Sequence, residues 1–411
     1  MVKWSQYNQS IQSMSADDRI IINDMAGDSQ MNFIIQEGAK RGASDIHIDP
    51  LPNEVLVRFR IDGVLQEANR FPREYLDHVI NQLKVLSNLE IGTVRLPEDG
   101  HFSAQLTSDG TGANRVLDVR VSIFPSVNGA AAVLRLLNRS EMLISLDEIF
   151  IDETLRARVR EMTLSSYGMV LTTGPTGSGK TTSLYAMLME TNRKERNILT
   201  LEDPVEMYFE DMRQSQIHPE IGFSFAKGMK SILRQDPDVI MIGEIRDAET
   251  AEYAVQASLT GRLVYSTLHA NTTIGAVARM IDMDIERGLI AYAVRGVISQ
   301  RLVRKICTSC TAPDPNPRAE FIAFLGLDGM IIPYRKGTGC TACDGTGYHG
   351  RTGIFEVLTF DDNLRAMIVD KASMNDLQAY AVQSGMQTLR QNAINLVSSG
   401  LTTLEEIIRV V

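Results

Sequence analysis

The chain has 411 residues, 44% hydrophobic and 22% charged, the balance of an ordinary globular protein long enough for two or three domains. A formal net charge of −10 argues against a surface built mainly for nucleic acid. No apolar run reaches the roughly 18 residues of a membrane span, and Met1-Val-Lys-Trp-Ser-Gln has no signal-peptide core, so a cytosolic protein is expected.

Residues 1–30 are polar and weakly patterned, with the sole tryptophan at Trp4, and read as an arm with a short helix at 16–25. A helix is predicted at 31–41, with Phe33, Ile34, Ile35 and Ala39 on one side and Gly42 ending it. Strands follow at 44–49 and 54–61, and Asp62-Gly63 turns the chain tightly into Val64-Leu65. A helix at 73–89 precedes strands at 102–106, 116–124 and 131–136, which together predict a separate α+β domain over about 31–138. Leu117, Val119, Val121 and Ile123 alternate with Asp118, Arg120 and Ser122, so Arg120 points away from the apolar face. Arg135 interrupts the apolar run Ala-Val-Leu-Arg-Leu-Leu and needs an acidic or phosphate partner. An intradomain salt bridge is the simpler account of both arginines.

Beyond about residue 140 strand and helix alternate. Met169-Val170-Leu171 reads as a buried strand, and Gly174-Pro175-Thr176-Gly177-Ser178-Gly179-Lys180-Thr181 fits G-x-x-x-x-G-K-[ST]. Thr182 and a helix from Ser183 follow, so the motif has the strand, loop and helix context that a phosphate-binding loop requires. The glycines let backbone N–H groups wrap phosphate oxygens, and the positive end of the helix adds attraction. Lys180 is placed to reach the β- and γ-phosphates of ATP, and Thr181 to offer a hydroxyl to Mg²⁺. Strands at 197–201, 239–242 and 263–266, with helices at 225–234, 248–259 and from 274 onward, predict a mostly parallel α/β sheet. Four helices, at 361–371, 374–384, 386–398 and 403–411, close the chain.

In such a sheet the carboxyl ends of the strands face the ligand. Asp236-Pro-Asp-Val-Ile-Met-Ile-Gly-Glu244 delivers Glu244 there as general base for, or orienter of, the attacking water. Gly243 stands where a Mg²⁺-binding aspartate is usual, leaving more of the metal to Thr181 and water. Leu201-Glu202-Asp203-Pro-Val-Glu206 ends another strand in three carboxylates, and His269 follows a third, where it can sense the γ-phosphate. Solvated loop acids and a satisfied polar histidine account for these as well. Arg234, Arg246 and Arg279 either serve a neighbouring active site or make surface ion pairs.

All four cysteines form two C-x-x-C pairs, Cys307/Cys310 and Cys340/Cys343, with 29 residues between the pairs. Paired thiolates at this spacing suit tetrahedral Zn²⁺, with the insert looped out and Gly345 and Gly347 allowing the turn after the second pair. Two redox-active pairs are the alternative, disfavoured by the expected compartment.

Together these residues resemble the secretion-ATPase superfamily, the motors of type II secretion and type IV pilus assembly, over about 31–411. The resemblance is carried by Ala43-Ser-Asp-Ile-His-Ile-Asp-Pro50, Arg58-Phe-Arg-Ile-Asp-Gly-Val-Leu65, the phosphate loop, Leu201 to Glu206 and Leu233 to Asp247. Thr260-Gly-Arg-Leu-Val-Tyr-Ser-Thr-Leu-His-Ala-Asn271, Gln300-Arg-Leu-Val-Arg304 and the four cysteines complete it. It implies a RecA-like P-loop motor domain over 139–411, with a small zinc module at 305–350 and a helical C-terminus at 360–411. It also implies a smaller α+β, PAS-like N-terminal domain at 31–138. Glu202, Glu244 and His269 become active-site residues, Arg120 and Arg135 reach bound nucleotide, and Arg234, Arg246 and Arg279 match arginine positions of the motor. An ATP-driven homo-hexamer is implied, peripheral on the inner membrane and docked on its platform protein, with no direct nucleic-acid partner. Arg262, Lys230 and Ala130 depart from the family pattern, and no counterpart of the large extra N-terminal domain of assembly motors is expected in these residues, which bears on docking. The cysteines favour assembly over retraction. Rival readings are a DNA-translocating or conjugation-related motor and a nucleotide-gated scaffold without turnover.

Overall fold

The computed structural model describes residues 28–106, 115–137, 143–191 and 193–411; Trp4 and the helix predicted at 16–25 lie outside them. The chain divides into two compact units, residues 1–140 and 141–411.

Among the described residues, the first unit is a six-stranded antiparallel sheet with two α-helices. Helix α1 (Asp28–Lys40) is followed by β1 (Ala43–Pro50), β2 (Glu54–Ile61) and β3 (Val64–Pro72). Then come α2 (Leu76–Leu86), β4 (Glu98–Leu106), β5 (Arg115–Ser126) and β6 (Gly129–Leu137). Strand order is β3-β2-β1-β6-β5-β4. The β2–β3 turn has positive φ at Asp62 (50°) and Gly63 (81°), the conformation that Asp-Gly favours in a two-residue hairpin. Alternation puts Ile46, Ile48, Val57, Phe59, Val119 and Leu134 on the face that buries Ile34 and Ile35 of α1 and Leu76, Val79, Ile80 and Leu83 of α2. Arg135 fits this period: Leu134 and Leu136 are buried while Arg135 is exposed on the opposite face beside half-buried Val133 and Leu137, so its strand is fully covered on one side only.

The second unit begins with α3 (Leu146–Ile149) and α4 (Glu153–Thr163), followed by β7 (Gly168–Thr173), α5 (Lys180–Glu190), β8 (Ile198–Glu202) and β9 (Arg213–Gln216). It continues with α6 (Phe225–Ile232), β10 (Val239–Ile242), α7 (Ala248–Leu259), β11 (Leu263–Leu268), α8 (Thr273–Asp282), α9 (Arg287–Ala293) and β12 (Val294–Ile306). The sheet order is β15-β12-β7-β11-β10-β8-β9, with β15 (Tyr348–Thr359) antiparallel to β12 and the other pairs parallel. Strands β7, β10 and β11 are buried throughout because helices cover both faces. Met169, Leu171, Leu201, Ile242, Val264 and Leu268 pack toward α6 to α9. Val170, Ile198, Val239, Met241, Leu263 and Tyr265 pack toward α3, α4 and α5.

One expectation is corrected here. Instead of helices throughout from 274, the chain enters β12, thirteen residues long, and returns along β15. Val294, Val297, Ile298 and Val303 supply the buried positions, and β-branched residues of this kind suit a pleated, covered strand. Between the two strands lie β13 (Thr311–Pro313), α10 (Ala319–Phe324) and β14 (Arg335–Gly337). Helices α11 (Asp362–Val369), α12 (Met374–Gln383), α13 (Leu389–Ser398) and α14 (Leu404–Val410) end the chain, capped by Asp361, Ser373, Thr388 and Thr403.

Candidate functional site

The phosphate loop leaves β7 at its carboxyl end, with φ of 146° at Gly174, 76° at Gly177 and 87° at Gly179. These angles belong to glycine, and space forbids anything else at the first: a Cβ on Gly174 would stand 2.5 Å from the Gln300 carbonyl oxygen. Helices α4, α6, α7 and α8 carry side-chain N-caps from Asp152, Ser224, Asp247 and Thr272, whereas α5 begins at Gly179 with none. Its first N–H groups are therefore left to an anion. Ser178 Oγ is buried without a hydrogen-bond partner among the described residues. Lys180 Nζ donates to the carbonyls of Gly174 (2.9 Å) and Pro175 (3.0 Å), and burial lowers its pKa, with Glu244 opposing and Arg301 adding to the shift. Pro175 and Thr176 are exposed beside Gly177, and Thr181 and Thr182 are half-buried on the first turn of α5. Uncapped N–H groups, an orphan hydroxyl and an open cradle fit the phosphates of a nucleotide.

Facing this loop, the strand ends gather acids and bases. Glu244 Oε2 lies 3.3 Å from His269 Nε2, and Glu244 Oε1 accepts from Arg246, whose Nη1 also stands 3.4 Å from Asp203 Oδ2. Burial pushes the Glu244 carboxyl up, but Arg246 and His269 outweigh it and hold the group below the usual carboxylate range. Glu244 is thus an ionised acceptor at neutral pH.

Glu202 is elsewhere. Only 3% exposed, it accepts from Tyr185 (2.5 Å), Thr200 (2.6 Å) and Gln214 (3.0 Å) and so ties β8 to the helix that follows the phosphate loop. The neighbouring Asp203 joins the Glu244 cluster in its place. Arg234 is exposed and donates to the Lys230 carbonyl at 2.7 Å, and Arg279 is exposed on α8; neither makes an ion pair among the described residues.

Sequence reasoning gave no individual role to Gln300. This residue, 2% exposed on β12, donates from Nε2 to the Ser178 carbonyl (2.7 Å) and accepts from Ser183 (2.9 Å). It locks the phosphate loop to α5, and its only sequence signal was membership of the Gln300–Arg304 motif, because the contact spans 117 to 122 residues.

In the first unit a cross-strand row runs Arg60, Asp45, Arg135, Arg120 and His101 over β2, β1, β6, β5 and β4. Asp45 takes Arg135 at 3.1 Å and Arg60 at 3.7 Å. Arg120 and Arg135 stand directly opposite each other, and Asp45 supplies Arg135 with negative charge, the intradomain salt bridge expected as its simpler account.

The four cysteine sulfurs lie within 4.8 Å of one another, at 3.9 Å (Cys307–Cys340), 3.8 Å (Cys310–Cys343) and 3.7 Å (Cys340–Cys343). Zinc–sulfur bonds of about 2.3 Å in a tetrahedron require sulfurs roughly 3.8 Å apart, so the cluster matches in both donor set and spacing. Burial works against ionising Cys343, yet N–H groups of Cys340 and Gly347 reach its sulfur at 3.2 Å and bring its pKa to about 7. Pairing of Ile306 with Tyr348 closes the long insert, and Gly337 and Gly347 cross so closely that a Cβ on Gly337 would fall 2.0 Å from the Gly347 carbonyl oxygen.

Residues 23–409 match the family model described as Type II/IV secretion system protein. The chain is 44% identical over 381 residues to type II secretion system protein E of Pseudomonas aeruginosa, covering 92% of this chain and 74% of that protein. It is 41% identical over 382 residues to the type IV pilus assembly ATPase PilB of Myxococcus xanthus, covering 92% of this chain and 66% of that one. Among solved structures, the pilus retraction motor PilT with bound ADP superposes with a TM-score of 0.63 at 28% identity, over 93% of this chain and 96% of PilT. The Legionella pneumophila ATPase DotB, at 21% identity, shares the fold with a TM-score of 0.68, over 96% of this chain and 99% of DotB.

Proposed function

The chain belongs to the Type II/IV secretion system protein family, and on that premise we propose that it hydrolyses ATP to drive assembly of a type IV pilus or a type II secretion pseudopilus. The observation that carries this reading is Glu244, ionised at a strand end and flanked by His269 and Arg246, in electrostatic reach of Lys180 on the phosphate loop. Lys180 neutralises charge on the transferring phosphoryl group while Glu244 directs the attacking water. Thr181 is the residue to hold Mg²⁺, which supplies further charge neutralisation, and the four cysteines are the residues to hold structural Zn²⁺. Glu202 acts by fixing α5 through Tyr185. Arg120 and Arg135 bind a nucleotide phosphate, the role that the family resemblance implies for them, Arg135 giving up its pairing with Asp45 to do so. A homo-hexamer on the cytoplasmic side of an inner-membrane platform protein is the working form.

Purified protein should hydrolyse ATP and change mass with nucleotide in light scattering. Nucleotide binding without hydrolysis, with or without hexamers, would support a scaffold and refute this reading. A gel shift with single- or double-stranded DNA at low salt, accompanied by DNA-stimulated hydrolysis, would favour a nucleic-acid motor instead.

A further inference from the structure

Strand β12 brings a second cation to the phosphate loop. The side chain of Arg301 donates from Nη2 to the Asn271 carbonyl at 2.9 Å and from Nη1 to the Gln300 carbonyl at 3.0 Å. Its Nη1 also stands 3.2 Å from the place a Cβ would take on Gly174, the glycine whose carbonyl holds Lys180 Nζ at 2.9 Å. Two cations therefore converge on one glycine at the mouth of the loop. Among the described residues Arg301 makes no ion pair; both of its partners are neutral carbonyls. The carboxylate that acts on it, Glu356, is buried and already accepts from the N–H and hydroxyl of Thr273 and the N–H of Leu389. A half-buried guanidinium without a counter-charge, beside a lysine, is an unfavourable arrangement that an anion between the two relieves. Burial lowers the pKa of Arg301; burial also lowers that of Lys180, with Glu244 opposing the shift and Arg301 adding to it.

We infer that Arg301 is a second phosphate-binding cation of the nucleotide site, gripping the β- or γ-phosphate jointly with Lys180. A planar fork offers a phosphate two parallel donors where the lysine offers a point charge. Asn271 lies two residues beyond His269, so the same side chain ties the histidine loop to the phosphate. Phosphate arriving at Arg301 competes with the Asn271 carbonyl and reports occupancy to the loop that flanks Glu244.

This inference rests on the ATP-binding reading, and the experiment separates the two. Affinities of the full chain for ATP, ADP and AMP are to be measured for the parent, R301Q, R301K and K180A, with melting temperatures without nucleotide. R301Q should bind ATP and ADP about ten-fold or more weakly, the worth of a charge-assisted hydrogen bond, and AMP within about two-fold of the parent. R301K should recover part of the loss, and nucleotide-free R301Q should melt no lower than the parent because an uncompensated charge has been removed. Parental ATP affinity in R301Q overturns the inference. So does an equal loss for all three nucleotides accompanied by a lower melting temperature, which marks a purely structural arginine. A parent that binds no nucleotide, or K180A that binds as the parent does, overturns the ATP-binding reading itself.

Discussion

The phosphate loop and the cysteine module are two ligand cradles served by one strand, β12, and they are built on opposite plans. In the first, eight consecutive residues carry the recognition, and glycine φ angles with an uncapped helix shape the pocket. In the second, two pairs 33 residues apart meet only because β12 and β15 pair antiparallel and two glycines let the backbone cross. A contiguous cradle keeps its shape through short-range backbone geometry. A distributed one depends on whatever holds its two halves, and a metal can be that agent. The two should therefore fail differently.

The largest expected effect is chemical. Glu244→Gln should lower hydrolysis by about 10²- to 10⁴-fold while ATP still binds, since the strand end directs water and not phosphate; a parental rate in steady-state assays would remove Glu244 from this role.

Next comes the test of independence. Replacing Cys340 and Cys343 by serine, or chelation at neutral pH, should release about one zinc per chain and unfold roughly residues 305–350, with nucleotide binding surviving. Elemental analysis and amide exchange measure both, and metal-free reduced parent protein would sink the zinc assignment.

Gln300→Ala sharpens the comparison from the other side, because it strikes the phosphate loop through a residue beyond the motif. Losing the Ser178 and Ser183 bonds should cost about 1–3 kcal/mol, read as a lower melting temperature and weaker ATP binding with an intact metal site.

The smallest effect concerns pH. Burial would raise the Glu406 carboxyl, but Arg304 and Arg409 outweigh it and hold it below the usual range. Arg304 reaches Glu406 at 2.6 Å from β12, three residues before Cys307, so the pair braces the module end of the strand. A carboxyl whose folded pKa is depressed adds stability that is full above its unfolded value, near 4.3, and fades as pH falls through the folded value. Acid titration followed by circular dichroism should show this loss in the parent and not in Glu406→Gln, which begins less stable.

The sequence by itself determined the phosphate loop, the apolar strands β7, β10 and β11, Glu244 at a strand end and the two cysteine pairs, because each is written in neighbouring residues or in a short period. It also placed Arg120 on a polar face, since period-2 alternation is local. The tertiary structure decided what depends on register between distant segments. Residues 294–306 form a strand because β7 and β15 offer it two sides to pair with, and the mixed apolar and polar run Val294 to Ile306 carries no clean local period that marks it as strand rather than helix. That pairing alone brings Gln300 and Arg301 to the phosphate loop and Cys307 to Cys340. Glu202 and Asp203 are adjacent in sequence, yet β8 ends at Glu202, whose side chain lies under α5, while Asp203 in the bend beyond reaches toward Arg246, a division that only the built sheet makes visible.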